Sequence, residues 1–174
     1  MKRTIYNKLI KWKLSKDRKP LMIYGARQVG KTYILKKFGE QEFDSFVYIN
    51  CFRNESAKTL FAESKNVSNI VLGLSAMSGV TITPGKTLVF LDEIQEIPAA
   101  VSALKYFCED MPELHVVVAG SLLGVMNLEG ESFPVGKVNI MHLYPMTFSE
   151  FLLAMDKKAL YDILASHDYA TAKI

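Results

Sequence analysis

The chain has 174 residues, 49% of them hydrophobic, and a formal net charge of +3. That length suits one ordinary domain with a real core and is short for two. No apolar run approaches a membrane span, and Lys8, Lys11 and Lys13 interrupt anything resembling a signal-peptide core after the N-terminal Met-Lys-Arg. The two cysteines, Cys51 and Cys108, lie far apart in apolar settings. They read as reduced, buried thiols of a cytoplasmic protein, neither a staple nor a metal pair. His115, His142 and His167 show no metal-ligand spacing and read as packing or surface residues.

Residues 1–19 hold eight Lys or Arg against the single Asp17, so the remainder of the chain is net negative. A basic start of this kind either touches nucleic acid or an acidic partner, or is the solvated face of a helix. Ile5, Leu9 and Trp12 recur at helical spacing, which favours the second reading. Leu21-Met-Ile-Tyr24 is a short apolar run, predicted to be a buried strand. Gly25-Ala-Arg-Gln-Val-Gly30-Lys31-Thr32 follows it, a G-x-x-x-x-G-K-T pattern that reads as a phosphate-cradling loop opening a helix at the lysine. Gly25 and Gly30 permit backbone angles that a Cβ blocks, so successive N–H groups turn inward around an anion. The helix start adds unpaired amides and the positive end of its dipole. Lys31 is expected to reach β- and γ-phosphates and the Thr32 hydroxyl to sit on Mg²⁺. Tyr33 to Phe38 keeps helical spacing until Gly39, which is expected to stop the helix.

Further along, Phe46–Asn50 is a second predicted strand. Glu55–Glu63 and Val67–Met77 are predicted helices, the latter ending at Gly79. Thr87–Leu91 is a strand running into Asp92-Glu93, and Pro98–Phe107 is a helix with proline in its first turn. His115–Ala119 is a buried strand ending in Gly120-Ser121, and a last strand covers Val138–Leu143. Continuous apolar strands alternating with helices imply a parallel sheet of about five strands covered on both faces, a three-layer α/β sandwich. Ligands of such sheets sit at the carboxyl ends of the strands. The loop, the acidic pair and Ser121 are all expected at that edge.

Asp92 is the candidate Mg²⁺ ligand beside Thr32, because Mg²⁺ keeps several waters and takes few carboxylates. Glu93 is the candidate base that orients or deprotonates an attacking water. Ser121 either bonds the γ-phosphate or the water, or caps a helix over Leu122–Met126. Gln95 extends this polar set or is surface. Arg27 meets phosphate or pairs with a carboxylate. No arginine follows Asp92. A transition-state arginine strongly accelerates phosphoryl transfer, and only Lys137, a poorer point-charge substitute, is left for that part downstream.

Together Gly25-Ala-Arg-Gln-Val-Gly-Lys-Thr32, Leu91-Asp-Glu-Ile-Gln95, Val118-Ala-Gly-Ser121 and Leu143-Tyr-Pro-Met-Thr-Phe-Ser-Glu-Phe151 resemble the AAA-like ATP-binding proteins of bacteria and archaea. The resemblance covers about residues 5 to 155. It implies an AAA-type P-loop NTPase fold, ATP and Mg²⁺ as ligands, and ATP hydrolysis. By that likeness Gly25, Ala26, Arg27, Gln28, Val29, Gly30, Lys31, Thr32 and Tyr33 hold the nucleotide, and Thr32 and Asp92 the metal. Glu93, Lys31 and Ser121 carry the chemistry, Ser121 as a polar sensor. Family members commonly show Gly-Arg where Gly136-Lys137 stands, which leaves no arginine here for a contribution in cis.

The expected organisation is an ATPase core over residues 1–150, with its basic N-terminal helix in 1–19, and the start of a C-terminal helical segment over 151–174. Thr147 and Glu150 form a capping box opening that helix, and Phe148, Phe151, Leu152 and Met155 make an apolar stripe. The chain is expected to continue natively into a C-terminal part, and partners, nucleic acid and an oligomer stay open. The alternative to an ATPase is a binding module gated by ATP with little turnover. A kinase fits less well, lacking an arginine-rich lid, and a GTPase less well still, lacking an N-K-x-D motif.

Overall fold

The computed structural model of the chain describes residues 3–121 and 133–166. Five strands, β1 (Leu21–Tyr24), β2 (Ser45–Asn50), β3 (Thr87–Asp92), β4 (His115–Gly120) and β5 (Asn139–His142), form one sheet in the order β2-β3-β4-β1-β5. Every pairing is parallel. β3 and β4 are buried at every position, as continuous apolar strands covered on two faces must be. Alternation sorts their side chains into two cores. Val89, Leu91, Val116 and Val118 pack beneath α3 (Glu55–Glu63), α4 (Val67–Ser78) and α5 (Pro98–Asp110). Leu88, Phe90, Val117 and Ala119 pack beneath α1 (Thr4–Leu14) and α2 (Lys31–Glu42). The result is the three-layer sandwich expected from the sequence.

Local chemistry explains most boundaries. Side chains of Asn54 and Asn66 accept the amides of Ala57 and Asn69, capping α3 and α4, and Gly79 closes α4 with φ 68°. The Thr147–Glu150 capping box opens α6 (Phe148–Ala154). Gly39 does not stop α2, which runs on to Glu42. A Cβ on Gly39 would lie 2.2 Å from the Phe46 ring, so this glycine marks a close helix–strand approach and not an end. In α1 the stripe Ile5, Leu9 and Trp12 is buried while Lys8 and Lys11 are exposed, the arrangement of a solvated helix face, and Lys16 just beyond it is exposed too.

The apolar stripe at 148–155 divides. Leu152 is buried, whereas Phe148, Phe151 and Met155 are exposed, with the two phenylalanine rings stacked at 6.3 Å. α7 (Lys158–Ser166) packs on α6 and buries none of its residues. Cys51 and Cys108 are free, and Cys108 is half-buried where full burial was expected. Burial, with help from Asp92, pushes the Cys51 thiol up to about 12. His142 stacks on Tyr24 and meets the tilted ring of Tyr144. His167 and the expected helix at 122–126 lie outside the described residues. Among the described residues no helix is long and apolar enough to cross a membrane.

His115 is buried at the start of β4, edge-on to Trp12 and Phe43. Burial and then the nearby Arg18 charge lower its pKa to about 4. A histidine held neutral in the folded chain but protonated in the unfolded one costs stability as pH falls from 6.5 toward 4. The unfolding midpoint of the wild type is expected to fall across that window, and His115→Leu should flatten the fall. Parallel pH profiles for the two proteins would contradict the assignment.

Candidate functional site

All five strands point their carboxyl ends to one edge, and the polar loops collect there. β1 ends at Tyr24, the loop follows, and α2 starts at Lys31 with Gly30 as its cap at φ 93°. The loop's other left-handed residue is Gln28, at φ 63°. Gly25 is not in that region, contrary to the expectation that its backbone angle requires glycine. Its reason is contact: a Cβ there would lie 2.2 Å from the Leu143 carbonyl oxygen. The Leu143 amide donates to the Tyr24 carbonyl at 2.8 Å, so the chain leaving β5 lies flush against the loop.

The Lys31 ammonium is buried and donates to the Gly25 and Ala26 carbonyls, each at 2.8 Å. Burial lowers its pKa, with the Glu93 and Asp92 carboxylates pulling the other way. α2 crosses β2 and β3 on the α1 side of the sheet and sets Thr32 above the end of β3. The Thr32 hydroxyl donates to Asp92 Oδ2 at 2.7 Å. Asp92 is 3% exposed and accepts two further bonds, from the Tyr48 hydroxyl at 3.3 Å and the Glu93 amide at 3.1 Å. Tyr48, on β2, has its own pKa pushed up to about 12 by burial and then by Asp92.

Glu93 takes a left-handed turn at φ 53° ahead of the single 3₁₀ turn Ile94–Glu96, and Gln95 Nε2 donates to its Oε2 at 2.5 Å. A cleft of about 700 Å³ opens between the loop, the end of β2 and this turn. Its lining includes Arg27, Gln28, Gly30, Lys31, Thr32, Tyr33, Glu93 and Gln95. Ser121 follows β4 at the same edge but is not among the lining residues, nor are Ala26 and Val29. Arg27 is exposed on the cleft wall.

Lys137 is the clear misplacement. It pairs with Glu109 at 2.8 Å, just before the amino end of β5 and thus at the edge opposite the cleft. It is therefore not a substitute for a transition-state arginine. Sequence reasoning also passed over Asn50 and Phe52, which line the cleft beyond β2. Tyr48 was passed over too. Register alone puts these residues there: Asn50 lies opposite Asp92 across the β2–β3 pair.

Arg3 was missed for another reason. It is 7% exposed and reaches the loop from below, donating to the Val29 carbonyl at 3.3 Å and the Tyr144 carbonyl at 2.8 Å. Its Nε lies 3.1 Å from Glu150 Oε2. Glu150 Oε1 accepts the amide and hydroxyl of Thr4, at 2.8 and 3.0 Å. One buried carboxylate thus caps both α1 and α6. Burial pushes the Glu150 pKa up, but the Thr4 and Thr147 amides, the Thr4 hydroxyl and Arg3 outweigh it and the net shift is down.

A parallel sheet of this order, with a glycine loop leading into a helix at its carboxyl edge, defines a P-loop NTPase. A family model described as an AAA domain matches residues 17–152, and the chain belongs to that family of ATPase domains. Its fold is shared by the Walker-type ATPase of Pyrococcus abyssi, with a TM-score of 0.59 at 16% identity. It is also shared by the ORC1 protein of Aeropyrum pernix, solved in complex with DNA, with a TM-score of 0.50 at 14% identity. These alignments cover 91% and 89% of this chain but only 58% and 47% of the other two. No curated protein matches the chain by sequence.

Both loop glycines make a stability prediction. Gly25→Ala should cost about 1–3 kcal/mol through its collision with the Leu143 carbonyl. Gly30→Ala meets no atom within 4 Å but must hold φ 93°, and should cost about 1–2 kcal/mol. Denaturant midpoints check both, and unchanged midpoints would contradict the stated geometry.

Proposed function

We propose that this chain binds ATP with Mg²⁺ at the Gly25–Tyr33 loop and hydrolyses the β–γ anhydride. The observation that carries the reading is the Thr32 hydroxyl bonded to Asp92, with Glu93 next in the chain and facing the same cleft. A hydroxyl and a single buried carboxylate, both oxygen donors, fit a Mg²⁺ ion that keeps most of its shell for water and phosphate. Among the described residues no cluster of three or more acidic, His or Cys side chains offers a metal cage instead. When bound, Mg²⁺ draws charge from the phosphate oxygens.

Residues of the chain supply the rest. Gly30 and the following amides present donors at the start of α2. Lys31 exchanges its two loop carbonyls for phosphate oxygens. Thr32 and Asp92 hold the ion, and Glu93 accepts the proton of the water that attacks the γ-phosphorus as the bond to ADP breaks. Ser121, at the end of the neighbouring strand but outside the cleft lining, is proposed as the polar sensor of the γ-phosphate. In the proposed organisation the ATPase core takes in residues 1–150 and the C-terminal part begins at 151. No arginine follows Asp92 within the 174 residues, so in this reading Lys31, beside Mg²⁺, meets the transition-state charge unless an arginine is supplied from outside them. Nucleic-acid contact rests on Lys8 and Lys11 of α1, on Lys16 just after it, and on the DNA held by the Aeropyrum pernix ORC1 protein.

One observation favours a second reading, an ATP-gated binding module. Gln95 donates to a Glu93 carboxylate oxygen, and a carboxylate engaged in this way is a weaker base until the bond is released. Phosphate release separates the two. Under the first reading the wild type turns over continuously, and Glu93→Gln binds ATP but slows by at least about 100-fold. Binding without sustained release favours the gated module, and equal release by wild type and Glu93→Gln contradicts the role of Glu93.

A further inference from the structure

The Tyr144–Glu150 segment and the buried Arg3 have no part in the chemistry proposed above, yet both meet at the underside of the phosphate loop. Val29 sits between the loop's two left-handed residues, Gln28 and Gly30. In a trans peptide the carbonyl of one residue and the N–H of the next point in opposite directions. A group that fixes the Val29 carbonyl therefore fixes the Gly30 N–H on the other side, away from Arg3. Gly30 lines the cleft.

We infer that Arg3 is a positioning residue for the phosphate loop: by holding the Val29 carbonyl it aims the Gly30 amide at the bound phosphates. The inference rests on the ATP-binding reading and adds a residue to it. Beyond Val29, Arg3 has two further contacts: Nη2 donates to the Tyr144 carbonyl, and Nε lies 3.1 Å from Glu150 as an ion pair without a hydrogen bond. Glu150 is in turn anchored by the amides of Thr4 and Thr147. The planar guanidinium reaches all of these at once, which a lysine ammonium does not. Burial of the whole group keeps the contact strong, since water competes little for these atoms. Arg3 and the segment after β5 thus act together to pre-shape the anion cradle.

ADP titrated calorimetrically with Mg²⁺ into the 174-residue chain tests this. Arg3→Lys keeps a cation for Glu150 but gives up the fork to Val29 and Tyr144, and is expected to weaken ADP binding about tenfold. Thr4→Val removes one Glu150 bond without touching the loop and is expected to lower the thermal midpoint while leaving ADP affinity unchanged. A purely structural brace would instead move affinity in both variants in step with stability. Should Arg3→Lys fail to fold, Glu150→Gln decides. It keeps one oxygen acceptor, for the Thr4 amide, and gives up the charged Oε2 that lies beside Arg3 and accepts the Thr147 amide, so weaker ADP binding supports the inference and unchanged binding overturns it. A wild type that binds ADP beside an Arg3→Lys that binds equally well overturns this inference alone. A wild type that takes up no ADP overturns the ATP-binding reading as well.

Discussion

The hydrogen bond from Thr32 to Asp92 is the contact on which the rest of this structure turns. A carboxylate that is 3% exposed must be satisfied by donors, and three elements supply them: α2 through Thr32, β2 through Tyr48, and the turn after β3 through the Glu93 amide. Each donor depends on packing elsewhere. Leu88, Phe90 and Asp92 occupy alternate positions of β3 and share a face. Ile34, Leu35 and Phe38 of α2 lie in the same core as Leu88 and Phe90. The helix that buries this apolar row therefore brings its first turn over the acid that ends it.

The phosphate loop is shaped from outside as much as from within. Its own angles, left-handed at Gln28 and Gly30, would be held only loosely by a free loop. Here the chain leaving β5 presses on Gly25 through the Leu143 carbonyl, and Arg3 holds Val29 from beneath. Both constraints arise from segments distant in sequence, one before β1 and one after β5. This gives a structural purpose to the Leu143–Phe151 motif, which carries no reactive group of its own.

Much of this was legible in the sequence, because parallel strands buried on two faces leave continuous apolar runs and their caps leave Asn, Thr, Glu and Gly at fixed places. α3 matches its expected span residue for residue. Gly39 was misread because a glycine that ends a helix and one that admits a neighbouring ring have the same letter. Only the position of Phe46 separates them. Tyr48 and Asn50 carry no signal, since strand register, a long-range property, brings them to the site, and Phe52 follows in the turn beyond β2. Lys137 was open to a better reading: a residue just before a parallel strand falls at the amino edge, away from the ligands. Arg3 lay within a basic stretch in which Lys8, Lys11 and Lys16 are exposed and Lys13, Arg18 and Lys19 half-buried, and nothing local marks it as the buried one.

The most direct test of the central claim is the Mg²⁺ dependence of ADP affinity, measured at equilibrium on the wild type and on Asp92→Ala. If Thr32 and Asp92 together hold the ion, Mg²⁺ tightens ADP binding to the wild type and has little effect on the variant. Equal tightening in both proteins, or none in the wild type, would contradict it.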